Sequence, residues 1–165
     1  MLVSLSGLIS TIGGKWTTYR KMGEDTVNKA ILVGDLIERP SVTKNLPIHG
    51  ATIEEDEENP LSIYGTDKKL ILDLVSRKKE WGEKLHPDLE YIKAEVVWAV
   101  RNEMARTVED VLARRLRALF LDARASMQMA TSVASLLAIE LGKGKEWEAK
   151  QVEDYIKLAK GYLLA

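Results

Sequence analysis

Apolar and polar positions divide the chain into three stretches of different rhythm. From Leu2 to Ile12 the sequence is apolar and β-prone, with Val3 and Leu5 on odd positions and Leu8 and Ile12 on even ones. A turn or bulge at Gly7 explains that change of phase, and at most two short strands result. Such a pair is marginal as an independent sheet, so the stretch reads as the edge of a larger β-containing domain. A helical pattern follows from about Thr18 to Val33, with Thr17 or Thr18 able to cap it and Gly34 a plausible stop. Tyr19, Met22, Ala30 and Val33 mark its expected buried side; Arg20, Lys21, Glu24 and Asp25 mark the solvated one.

Periodicity is lost between Asp35 and Asn59. Pro40 and Pro47 oppose helix, and Glu54-Glu55-Asp56-Glu57-Glu58 is a run of like charge. Calcium binding would need an Asp-x-Asp-x-Asp-Gly spacing that is absent, so the run reads as a solvated loop.

Beyond residue 60 the pattern is helical throughout. Asp67 to about Trp81 carries Leu70, Ile71, Leu74 and Val75, with Gly82 as its stop signal. After Pro87, a helix from about Tyr91 is expected to bury Ile92, Val96, Val97, Val100 and Met104. Thr107 with Asp110 three residues on resembles a capping box ahead of Val111, Leu112, Leu116 and Leu119. Asp122 to Leu141 places Ala130, Ala134, Leu137 and Leu141 on one side and ends at Gly142. The last helix uses Trp147, Val152, Tyr155, Ile156, Ala159 and Leu163. About five helices in an orthogonal or bundle-like module is the economical reading. The expected class is mainly α: residues 1–34 a strand, turn and helix, 35–59 a linker, and 60–165 an all-helical domain.

Composition narrows the functions. An apolar share of 45% supports a real core, and a net charge of −1 offers no basic excess for nucleic acid. With no cysteine, disulfides and thiol chemistry are excluded. His49 and His86 have no metal-like spacing, and no metal is expected. No apolar run reaches the roughly 20 residues of a membrane helix, and no charged n-region precedes the apolar start. The expected location is cytoplasmic, with peripheral attachment to the cytoplasmic membrane compatible.

The chemistry concentrates in Gly13-Gly14-Lys15-Trp16-Thr17-Thr18-Tyr19-Arg20, between the β-prone segment and the first helix. Glycines let a ligand approach the backbone, and a helix start offers unpaired N–H groups with about half a positive charge. Lys15 at such a start is mildly unfavourable unless something negative faces it; the plain alternative is a solvated lysine in an ordinary turn. A Walker A loop is excluded, since Ile9 and Trp16 occupy its required Gly and Ser/Thr positions. A Gly-x-Gly-x-x-Gly is absent too, because Trp147 follows Gly142-Lys143-Gly144 where the last glycine belongs. A second polar set, Glu95, Arg101, Glu103, Arg106, Glu109, Asp110, Arg114 and Arg115, spans two consecutive helices. It fits either a carboxylate or phosphate site or an internal ion-pair network. Glu95 and Glu103 lie about two helical turns apart, too far to share a proton.

The glycine–lysine turn after Ser6-Gly7-Leu8-Ile9-Ser10 resembles the flavin-contacting turn of FAD-dependent glycerol-3-phosphate dehydrogenases. Leu46-Pro47-Ile48-His49-Gly50, Leu85-His86-Pro87, Glu95 to Arg101 and Arg106 to Arg115 resemble the C-terminal region of that family, in the same order. Leu116 departs from it, standing where the family usually has threonine. The resemblance implies a helical, cap-like C-terminal domain, preceded by the tail of the FAD-binding domain. It further implies oxidation of sn-glycerol 3-phosphate to dihydroxyacetone phosphate by hydride transfer to FAD, with electrons passed to a quinone. By the same resemblance Gly13, Gly14, Lys15, Trp16 and Thr17 face the flavin, and Lys15 lies close to the substrate. The N-terminal FAD-binding domain would then be the missing partner, with the chain alone inactive, and a homo-oligomer is compatible. The competing reading is a stand-alone, non-catalytic helical interaction module.

Overall fold

Gly7, at φ +84°, turns the first segment back on itself. Leu2–Val3 (β1) and Ile9–Ser10 (β2) then pair antiparallel, Leu2 opposite Ser10 and Val3 opposite Ile9. Ser4 fastens the turn, its carbonyl accepting the Gly7 N–H and its hydroxyl the Leu8 N–H. The phase change read from the sequence is therefore a hairpin. The computed structural model describes residues 1–53 and 58–163; most of the acidic run, Glu54 to Glu57, lies outside them.

The chain forms two units, Met1–His49 and Gly50–Ala165. In the first, a short 3-10 turn, Trp16–Thr18, leads into α1, Tyr19–Val33. No residue of α1 is buried, and Tyr19 and Val33 are exposed, against the expected buried side. Two strands of two residues each offer too little surface to cover a 15-residue helix. Arg20, expected to be solvated, is instead half-buried, bonded to Glu24 and to the Thr43 hydroxyl.

The second unit is mainly helical. Pro60–Asp67 is a kinked 3-10 segment ahead of α2, Lys68–Arg77, and a second 3-10 turn covers Lys79–Gly82. The expected helix thus ends four residues before Trp81, and Leu70 on it is exposed. Lys84–His86 (β3) and Leu89–Ile92 (β4) form an antiparallel hairpin around Pro87 and Asp88, so this half is not helical throughout. Tyr91 and Ile92 belong to that hairpin and α3 begins later, at Lys93–Asn102. Next come a π-helical turn at Asp110–Arg115, α4 (Ala118–Leu121), α5 (Ala123–Leu141) and α6 (Lys145–Lys160).

Two of these helix ends follow the sequence signals closely. Asp122 caps α5 by accepting the Arg124 and Ala125 N–H groups, both at 2.9 Å. Gly142, at φ +64°, ends it in the left-handed conformation.

Helix α3 is the centre of the unit, and every residue from Ala94 to Val100 is buried. Val96 and Val100 face a core completed by Val111, Leu112, Met129, Val133, Leu137 and Tyr155. Ala94, Val97 and Trp98 face a second core with Leu61, Ile71 and Leu74. A helix packed on both sides reads as apolar all round, which is why its sequence shows no clean polar face. Met104, expected on its buried side, lies beyond its end at φ +57° and is 76% exposed.

Candidate functional site

The glycine–lysine turn opens on two left-handed glycines, Gly13 at φ +81° and Gly14 at φ +113°. A Cβ on Gly14 would sit 2.1 Å from the sulfur of the flexible Met22 side chain, so it is the φ of +113°, more than the space, that asks for glycine there. A Cβ on Gly13 would meet nothing within 4 Å, which leaves that backbone open on one side. The Lys15 N–H donates to the Thr18 hydroxyl at 3.2 Å, and the Thr18 N–H to the Lys15 carbonyl at 2.9 Å. That exchange sets the first turn of the helical segment. Gly13, Gly14, Lys15, Trp16 and Thr17 are all exposed, and the Trp16 and Tyr19 rings lie 5.4 Å apart. Lys15 has no ion pair among the described residues. The turn therefore presents an open backbone, a helix start and a cation together.

The second polar set resolves into internal contacts. Arg101 grips Glu140 with two bonds, 2.7 and 2.9 Å, and lies over the Trp81 ring. Arg106 donates to the Val100 and Ala105 carbonyls, and Arg114 pairs with Glu109 and Asp110. Arg115 donates to the Glu103 carbonyl through Nε and Nη2. Every arginine of the set is thus occupied within the protein, which favours the ion-pair reading over an anion site. Thr107 and Asp110 form the reciprocal cap expected of them: the Thr107 hydroxyl accepts the Asp110 N–H, and the Asp110 carboxylate accepts the Thr107 N–H. Burial works against ionisation of Asp110, but bonds from the Arg106 and Thr107 N–H groups and the Thr107 hydroxyl outweigh it and lower its pKa.

Glu95 stands apart from the set. It is only 2% exposed and, among the described residues, faces no cation at bonding distance. Its carboxylate accepts the Ile92 N–H at 2.7 Å and the Tyr64 hydroxyl at 3.0 Å. Burial pushes its pKa up to about 7, helped by the charge on Glu103 and opposed by those two bonds. Glu103 is raised as well, by burial first, despite Arg115. Tyr64 carries no motif, so nothing in the sequence marks it; only the fold brings it across 31 positions to Glu95.

His86, which the sequence leaves unassigned, is buried. Its Nε2 lies 3.0 Å from Gln128 Oε1 and its Nδ1 accepts the Asp88 N–H, so it braces the β3–β4 turn against α5. Among the described residues, no cluster of His, Cys, Asp and Glu could hold a metal ion, and no helix is long and apolar enough to cross a membrane.

Comparison with known proteins agrees with the sequence resemblance. Residues 41–151 match the family described as the C-terminal domain of alpha-glycerophosphate oxidase. A probable mitochondrial glycerol-3-phosphate dehydrogenase of Caenorhabditis elegans is 36% identical over 92% of this chain and 24% of its own length. The probable mitochondrial enzyme of Dictyostelium discoideum is 32% identical over 94% of this chain and 27% of its own. The mitochondrial glycerol-3-phosphate dehydrogenase of Macaca fascicularis is 32% identical over 98% and 24% respectively. The chain thus spans about a quarter of the length of the curated relatives it matches. No solved structure matches it. On the strength of a match across two thirds of its length, the chain belongs to the family of the C-terminal domain of alpha-glycerophosphate oxidase.

Proposed function

We propose that this chain is the C-terminal part of a flavoenzyme that oxidises sn-glycerol 3-phosphate to dihydroxyacetone phosphate and passes the electrons to a quinone. The observation that carries this reading is the match of residues 41–151 to the glycerophosphate oxidase domain, joined to an exposed Gly13-Gly14-Lys15 turn ahead of it. FAD, when bound, supplies the two-electron acceptor for the hydride that leaves C2 of the substrate. The chain's own contribution is electrostatic. The start of α1 and the backbone of Trp16 and Thr17 favour negative charge on the ring edge that faces them. Lys15 draws in the anionic substrate, holding its phosphate or the oxygen on C2. The proton of the C2 hydroxyl goes to a base outside the Gly13–Thr17 turn, and no reacting group is assigned to the described residues of the Gly50–Ala165 unit.

Replacing Lys15 with Met in the intact enzyme separates the two roles. The variant keeps the stem's packing and removes the charge. Weaker substrate binding leads the expected effect: KM rises, with a smaller fall in kcat. A fall in kcat of about 10²–10³ at unchanged KM would instead place Lys15 against charge that grows in the transition state. Unchanged kcat/KM at full FAD occupancy would return Lys15 to a solvated, structural role.

A further inference from the structure

Several contacts hold the segment Pro60–Asp67 down, among them the packing of the Tyr64 ring against the second core. Leu61 is buried in the second core, the Tyr64 hydroxyl bonds Glu95, and the Thr66 N–H bonds the Gly50 carbonyl at 3.1 Å. Between the last two anchors lies Gly65, at φ +53° and ψ −124°, a conformation open to glycine alone. Ile63, beside Tyr64, is 72% exposed. The segment also walls a hollow of about 410 Å³ with Lys68, Lys69 and Leu72 of α2, so it is not packed on every side. It is a short strap, fixed at Leu61, hinged at Gly65, with Tyr64 held both by its ring against the second core and by its phenol on Glu95.

That carboxylate is in an unfavourable place once ionised. The groups facing it are Tyr64 from the strap, Tyr91 from β4 and Glu103 beyond the end of α3. Asp67 adds negative potential at Glu103, and Arg115, 3.8 Å from the Glu103 carboxylate, spends its closer bonds on the Glu103 carbonyl. Arg117 acts on Tyr91, one step further away. The faces of α2 and α5 that pack on α3 are apolar there, through Ile71, Leu74, Ala130 and Ala134. A buried carboxylate without a cation lowers its free energy by meeting water, and Tyr64 of the strap is one of the groups that cover it.

We propose that the Ile63–Thr66 part of the strap is a pH-dependent latch, closed over Glu95 in its protonated form and released as Glu95 ionises. Opening swings Tyr64 outward about Gly65, breaks the Thr66–Gly50 bond, and lets water reach the carboxylate. The inference does not depend on the substrate assigned above.

Residue-resolved amide exchange of the full chain between pH 6 and 8.5, corrected for intrinsic rates, tests it. If the carboxyl returns to its ordinary range when the strap is open, the opening constant at Thr66 rises about tenfold over that interval and levels off above about pH 8. Val133 and Leu137 in α5 show no such rise. Tyr64→Phe, which keeps the ring and removes the latch bond, opens Thr66 at both ends of the range. In Glu95→Gln the amide can still bond Ile92 and Tyr64, and the pH dependence disappears. A flat profile at Thr66 in the unaltered chain overturns the proposal. So does an equal rise in Glu95→Gln, or a rise shared by Val133 and Leu137.

Discussion

Gly65→Ala is the sharpest perturbation of the helical unit, and Gly142→Ala is its natural control. Both glycines have positive φ, +53° and +64°, but they differ in what surrounds them. A Cβ on Gly142 would meet nothing within 4 Å, so alanine there carries only the left-handed strain of an L residue, about 1 kcal/mol. A Cβ on Gly65 would lie 1.7 Å from the Gly50 oxygen and 2.8 Å from its carbon, which are backbone atoms unable to rotate away. Its ψ of −124° also lies outside the left-handed region available to alanine. Separating the two strands of chain removes the Thr66–Gly50 bond, about 1 kcal/mol, on top of strain of about 1–3 kcal/mol. A smaller unfolded-state entropy returns about 0.4–1 kcal/mol in either variant and cancels in the comparison. Gly65→Ala should therefore cost about 2 kcal/mol more than Gly142→Ala. Urea unfolding of both variants, followed by helical circular dichroism at one pH, measures that difference. Midpoints that shift equally would show that the Gly50–Gly65 approach constrains nothing.

Two further outcomes follow from the same unit. The folded-state pKa of Glu95, about 7 against an ordinary 4.5, means that the unfolded chain loses its proton first as pH rises. Stability should then fall from about pH 4.5 to 7 and stay low above it, and Glu95→Gln should remove up to about 3 kcal/mol of that fall; a variant with an unchanged pH profile of urea stability would contradict the assignment. Asp122→Ala leaves two N–H groups of α5 without their acceptor and should cost about 1 kcal/mol in the same assay, whereas no loss would mean that water caps the helix equally well.

Much of the fold was legible because local signals were unambiguous. Asp122 and Gly142 bracket α5 as capping rules demand, and Thr107 with Asp110 does what its spacing suggests. The β3–β4 hairpin was missed although Leu85, Leu89 and Tyr91 alternate around Pro87-Asp88. Strands of three and four residues give period 2 too little length to compete with the long helical pattern after them. Helix α1 misled in the opposite direction. Its apolar positions suggest a covered face, but nothing within Met1–His49 is large enough to cover one. At the candidate site, the turn at the glycine pair could be read directly, since the positive φ of Gly13 and Gly14 is a local property. Glu95 was visible as one charge among eight and as a carboxylate two helical turns from Glu103. Its isolation from cations and its bond to Tyr64 depend on tertiary packing, which spacing along one helix does not encode.

The central claim is that this sequence works within a glycerol 3-phosphate-oxidising flavoenzyme, and anaerobic titration of the intact enzyme tests it most directly. The purified enzyme should carry flavin absorbance that bleaches on addition of sn-glycerol 3-phosphate, with one dihydroxyacetone phosphate formed per flavin reduced. The 165-residue chain by itself should show neither the absorbance nor the product. An intact enzyme whose flavin is not reduced by this substrate, or which carries no flavin, would contradict the account.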